Sequence, residues 1–231
     1  CEKVREAGAV SVVDGVSYAP HGIPDVQALG CDAYLFSLYK VYGPHQGVMF
    51  LSRDLNQRLP NQAHFFNAGK PHARFVPSGP DHAQIAAVNG LMDYLEALYE
   101  HHADPADPPA RTGAVFQRAA VNDLMHEAEQ VNLETLLAFL RERPGVRIIG
   151  RAAAEGRAPT VALRLDNQSP GELAAALAEK NIGIANGNCY AWRLMEALGI
   201  PPEEGVARIS MVHYTAPAEV QHLLEALDEL L

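Results

Sequence analysis

The chain has 231 residues, of which 48% are hydrophobic and 20% charged, and its formal net charge at pH 7 is -10. That composition is ordinary for a soluble globular protein and excludes a disordered chain. With 18 Lys and Arg against 28 Asp and Glu, it also argues against a nucleic-acid partner, because affinity for a phosphate backbone comes from clustered cations.

The three cysteines, Cys1, Cys31 and Cys189, are odd in number, far apart and without a C-x-x-C pair. Neither a disulfide framework nor a zinc site is expected, and reduced, cytoplasmic thiols are the simplest reading. No apolar run approaches the ~18 residues of a membrane span, and the N-terminus shows no signal-peptide pattern, so no membrane is expected as a partner.

In chain order, "CEKVREAGAVSVVDG" reads as the tail of a helix running into a strand over 9–13, with no start methionine. The expectation is the C-terminal part of a longer protein. Short apolar runs at 9–13, 33–37 and 47–51 predict buried strands packed side by side in one sheet. Over 81–99, Ile85, Val88, Leu91, Met92, Leu95 and Leu98 recur at helical spacing. "HHADPADPPARTG", residues 101–113, breaks every period and reads as a linker.

Helical sequence then continues to about Arg143, where Pro144 and Gly145 stop it. Beyond lie predicted strands at 146–149 and 159–165, a helix at 170–180 capped by Ser169, and a strand at 182–185. A strand at 206–212 and a helix at 217–231 close the sequence. The pattern predicts an α/β domain over 1–113 and a small C-terminal α+β domain with its connecting helix over 114–231.

The chemistry gathers around "FSLYKVYGPHQG", residues 36–47, where Lys40 sits between tyrosines just before a Gly-Pro turn. A lysine embedded in aromatic residues at the end of a buried strand is desolvated and tends to lose its proton, which is how a nucleophilic or Schiff-base lysine is made. Asp14, Ser17 and Ser37 are likewise expected at strand ends, where open α/β sheets bind ligands. Pyridoxal 5'-phosphate needs such a pair, a lysine for its aldehyde and a carboxylate for its ring nitrogen. Taken alone, an Asp after a strand is more often a turn or cap residue.

Together, "VVDGVSYAPHGIPDVQALGCDAYLFSLYKVYGPHQGVMF" resembles the cofactor segment of the class V, fold-type I aminotransferases, in the cysteine desulfurase and selenocysteine lyase branch. The likeness is close over about the first 100 residues and looser over "GVRIIG", "PTVALRLD", "GIANGNCYAWRLM" and "ARISMVHY". It implies that 1–113 is the remainder of a PLP-binding large domain, with a mainly parallel sheet. It further implies that Lys40 bonds the cofactor, Asp14 pairs its ring nitrogen and Ser37 binds its phosphate. A homodimer, a small amino-acid or amine substrate, and a missing N-terminal half that completes the site also follow from the resemblance.

Departures from the pattern bear on the reaction. Ser17 stands where desulfurases carry Gln, and Tyr39 where they carry His, though a tyrosine hydroxyl can still bind phosphate. Ser78, at one residue's offset, falls near the family's phosphate-reaching Gly-Thr. In the loop that bears the desulfurase cysteine, "ANGNCYA" places Ala185 at an expected arginine and Tyr190 at the cysteine, with Cys189 one residue early. Arg208, in "ARIS", matches the family's second arginine, which clamps the substrate carboxylate. Cys189, Tyr190 and Arg208 are thus the candidate substrate contacts, although a free Cys is usually a small buried hydrophobe.

His21 matches a family position but also suits a packed loop, and His64, His72, His82, His101 and His102 lack metal spacing. Two functions stand: a PLP enzyme acting on an amino acid through Lys40, a transferase or lyase that is not an efficient desulfurase, and a truncated or inactive paralogue with a structural or interaction role.

Overall fold

The computed structural model describes residues 1–76, 79–103 and 114–231. Most of the predicted linker at 101–113 and the candidate Ser78 therefore lie outside the described residues. The chain divides into two compact units, Cys1–Asp123 and Leu124–Leu231. Mixed α/β architecture is present in full, with one sheet in each unit.

In the first unit, helix α1 (Glu2–Glu6) leads to β1 (Val12–Asp14), and β2 (Ala33–Ser37) follows a short helix α2 (Val26–Leu29). Strand β3 (Gly47–Leu51) completes a sheet of order β1-β2-β3, with β1 and β2 parallel and β2 and β3 antiparallel. The entry to the sheet is pinned by Ser11 and Asp32. Ser11 N and Oγ both donate to Asp32 Oδ2, at 2.8 and 2.9 Å, and Asp32 N donates back to Ser11 Oγ at 3.0 Å. These bonds hold the Asp32 carboxyl below its ordinary range.

Helix α2 starts where Asp25 caps it, accepting from Gln27 N and Ala28 N, and ends at Gly30 in the left-handed region. The Ala28 bond and the guanidinium of Arg118, 2.7 Å from Asp25 Oδ2, lower the Asp25 pKa. Helices α3 (Arg53–Arg58), α4 (His82–Ala86) and α5 (Val88–His102) follow. The single helix predicted over 81–99 is thus two, interrupted at Ala87.

Two expectations for this unit are corrected. The first strand pairs over Val12–Asp14 rather than 9–13, and it is not buried: Val10 and Val12 are 41% and 65% exposed. As the edge of the described sheet it has a neighbour on one side only, so its apolar sequence does not report its surroundings. Lys40 is not desolvated either. It ends a single 3-10 turn, Leu38–Lys40, with Leu38 buried beneath and the lysine exposed.

Helix α6 (Ala114–Arg141) runs into the second unit. There Leu133, Leu136, Leu137 and Leu140 form one buried stripe at helical spacing. Against it pack Val161 and Leu163 of β5 (Thr160–Leu165), which pairs with β4 (Val146–Ile149). Leu173 and Leu177 of α7 (Pro170–Ala178) join the same core. The helix starts with a full capping box: Ser169 Oγ accepts from Glu172 N, and Glu172 accepts from Ser169 N.

The sheet order is β4-β5-β7-β6, antiparallel throughout, with β6 at Ala185–Gly187 and β7 at Val206–Ser210. Helices α8 (Trp192–Ala197) and α9 (Pro217–Leu230) complete it. The strand predicted at 182–185 lies further on because Asn181 adopts a left-handed conformation and Ile182 N bonds Leu177 O, closing α7. Ile182 and Ile184 then pack against the core, so their apolar character serves burial rather than the ladder. Among the described residues, no helix is long and apolar enough to cross a membrane.

Candidate active site

Asp14 is the last residue of β1 and pairs in register with Leu35, while Ser37 ends the parallel neighbour β2. Both residues therefore stand at carboxyl ends of strands that run the same way, one sheet edge supplying both. Asp14 Oδ1 accepts from Val16 N at 3.0 Å and shapes the turn that follows. Its turn role is real and leaves its other oxygen open. Ser17, in that turn, is exposed.

The Asp-Gly step has a steric cause. A Cβ on Gly15 would lie 2.1 Å from the ring and hydroxyl of Tyr34, so only glycine lets the tyrosine cross the strand end. Tyr34 is 3% exposed, and burial raises its pKa, with smaller contributions from Tyr18, Cys31 and Asp14. Beside it lies a cleft of about 530 Å³, lined in part by Asp14, Tyr18, Tyr34, Asp25 and Arg118.

Tyr39 and Lys40 occupy the turn after β2, with Lys40 Nζ 5.3 Å from the Tyr39 ring centroid. Tyr39 also stacks on His45, centroids 4.7 Å apart and planes inclined by 17°. His45 drew no attention in the sequence. It lies two residues before Gly47, which pairs with Ser37 across β2 and β3. His21 is buried, in the single 3-10 turn Ala19–His21.

The remaining candidates belong to the second unit. Arg208 on β7 is half-buried and faces Ala162 on one side and Ala185 on the other. Its Nε is buried and meets no hydrogen-bond partner among the described residues. Cys189 packs with the apolar cluster of Met195, Ile200 and Val206, whereas Tyr190 is 105% exposed. Both have left-handed backbones, at φ 51° and 63°.

Asn188 fixes this loop, its Oδ1 accepting from Tyr190 N at 3.0 Å and its Nδ2 donating to Pro202 O at 3.2 Å. At the loop's base Gly187 bridges to Gly205, where an added Cβ would meet Gly187 C at 1.9 Å. Among the described residues, no three His, Cys, Asp or Glu side chains gather as a metal would require.

The Ser37 hydroxyl, the Lys40 amine and the second Asp14 oxygen carry no hydrogen bond among the described residues. An amine, a carboxylate and a hydroxyl left open at one sheet edge fit the aldehyde, ring nitrogen and phosphate of pyridoxal 5'-phosphate.

Known proteins resemble the chain in sequence and fold. An aminotransferase-like protein, FGM3, of Gibberella zeae is 31% identical over 229 residues, covering 97% of this chain and 52% of that protein. A probable cysteine desulfurase of Pseudomonas putida is 30% identical over 240 residues, again covering 97% and 52%. Among solved structures, the cysteine desulfurase CsdA of Escherichia coli aligns with a TM-score of 0.72 at 22% identity, over 99% of this chain and 53% of that one. The apo cysteine desulfurase of Thermococcus onnurineus NA1 aligns at 0.77 and 21%, over 98% and 53%. The chain thus spans about half the length of these relatives and has the fold of the corresponding half. The aminotransferase class-V family matches residues 1–70 and 115–223, and to that family the chain belongs.

Proposed function

We propose that the full-length protein is a PLP-dependent enzyme acting on a small amino acid or amine, desulfurase-like in fold but a poor cysteine desulfurase. The observation that carries this reading is the loop at 187–191, which turns Cys189 into an apolar cluster and presents Tyr190 to solvent instead. A phenol cannot accept sulfur as a persulfide, and a thiol among apolar side chains is not activated as a nucleophile.

When bound, the cofactor supplies an aldehyde that bonds amines and a ring that takes up the electrons of a carbanion. The residues then have distinct tasks. Lys40 Nζ would anchor the cofactor, and its amine would move the substrate's α-proton. Asp14 would hold the ring nitrogen's proton. Ser37 and Tyr39, with Ser78 of the same or a partner subunit, hold the phosphate, and Arg208 holds the substrate carboxylate. Residues 1–113 serve as part of the large domain and 114–231 as the small one, in a homodimer. Aminotransfer, elimination and racemisation can all use this set.

The test gives the full-length protein L-cysteine and a reductant. Slow sulfide release, unchanged in Cys189→Ser, is expected; brisk release lost in that variant overturns the reading. A colourless protein that gains no cofactor mass at Lys40 after borohydride favours the interaction role instead.

A further inference from the structure

The proposed function uses Tyr39 but assigns nothing to His45, which stacks on it, and the geometry around the stack is built rather than incidental. Strands β2 and β3 are antiparallel with Ser37 opposite Gly47, and the ladder continues one step further, Leu38 N donating to Gln46 O at 2.8 Å. Just beyond it the ladder gives way to the 3-10 turn Leu38–Lys40, which carries Tyr39, while His45 precedes Gln46 on the returning chain. The two ends of the hairpin connection thus come together, and the rings stack with centroids 4.7 Å apart.

Both ends of the connection are fixed. Leu38, 1% exposed, anchors the turn from below, and its carbonyl accepts from Val41 N and Gly43 N, both at 2.8 Å. Pro44 sets the backbone just before His45, and Gln46 N returns to Pro44 O at 2.7 Å. The histidine is thus held at the right height, while the tyrosine, 46% exposed, would otherwise be free to swing. Lys40 Nζ lies 5.3 Å from the same tyrosine ring, within cation-π range, so one stack orders the phenol and biases the amine.

We propose that His45 is a positioning residue: by stacking on Tyr39 it holds the phenol hydroxyl ready for the cofactor phosphate. The proposal rests on the reading of Lys40 and Tyr39 given above. It assigns the imidazole no contact with the cofactor, so its aromatic face matters and its charge does not.

The test titrates the full-length protein with pyridoxal 5'-phosphate and, separately, with pyridoxal, which lacks the phosphate. Dissociation constants come from the visible absorbance of the bound aldehyde. Loss of the stack in His45→Ala should weaken the phosphorylated probe roughly three- to tenfold and leave pyridoxal within about twofold of wild type. His45→Phe keeps a ring in place and should bind like wild type. Adding His45→Ala to Tyr39→Phe should weaken binding no further than Tyr39→Phe alone.

Equal weakening of both probes, unchanged binding in His45→Ala, or a His45→Phe variant as weak as His45→Ala would each overturn the proposal. If borohydride fixes neither probe to Lys40 of the wild type, the cofactor reading falls and this proposal with it. Covalent uptake that ignores His45 sinks this proposal alone.

Discussion

Ala185 and Arg208 are direct partners in the antiparallel ladder of β6 and β7. A methyl group therefore stands opposite the guanidinium where the family resemblance leads one to expect a second arginine. Restoring it would set two like charges across one rung, which is unfavourable. Ala185→Arg should lower the melting temperature without creating desulfurase activity.

Arg208 itself should then carry the substrate carboxylate alone. Arg208→Lys keeps the charge but loses the planar fork, and a charge-assisted contact is worth about 1.5 to 3 kcal/mol. The expected result is a KM for the amino acid raised roughly tenfold or more, with a smaller change in kcat. A KM unchanged in steady-state kinetics would return Arg208 to a structural role.

Lys40 is exposed above a buried Leu38, so it contributes little packing. Lys40→Ala should melt within a few degrees of wild type yet gain no cofactor mass after borohydride. Mass spectrometry and thermal denaturation of the same sample decide this.

Gly15 is a steric matter. Its missing Cβ makes room for the Tyr34 ring at 2.1 Å, and overpacking of this kind typically costs about 1 to 3 kcal/mol. Gly15→Ala should therefore lower stability by that amount in denaturant titration, and Gly15→Ala combined with Tyr34→Ala should be less than additive.

The acid side of the stability profile should depend on Asp25 and Asp32, both with lowered folded pKa values. For a depressed carboxylate the stabilisation is complete above the unfolded value, near pH ~4, and is lost as the pH falls through the folded one. Asp32→Asn should be less stable than wild type at neutral pH and should lose less stability on acidification. Parallel acid limbs for the two proteins would contradict the Ser11 bonds as the cause.

Where local chemistry and tertiary context agree, the sequence was a good guide. Ser169 announces its helix, and the structure completes the cap with Glu172. Strands 33–37 and 47–51 lie where their apolar runs put them, although the second is not buried as expected, Met49 being 46% exposed. By contrast Val10 and Val12 look buried in sequence and are exposed, because burial depends on a neighbour that a single strand cannot specify. The site shows the same division. Asp14 and Ser37 at strand ends were legible from strand periodicity. His45 was not, because the span after Ser37 reads as a loop until the hairpin register is known. The inward turn of Cys189 was also hidden, being set by φ rather than by residue type.

The inward turn of Cys189 decides how this protein could be converted into a sulfur carrier. Two consecutive left-handed residues over a Gly187 and Gly205 closure make the loop an address system, in which backbone hand, not spelling, decides who faces outward. The thiol already at 189 is delivered to the apolar cluster. The thiol would have to change address, by exchanging Cys189→Tyr and Tyr190→Cys, and the ring sent inward would then find Met195, Ile200 and Val206 already filling its place. A thiol would therefore become available to substrate only if the floor beneath the loop were rebuilt as well.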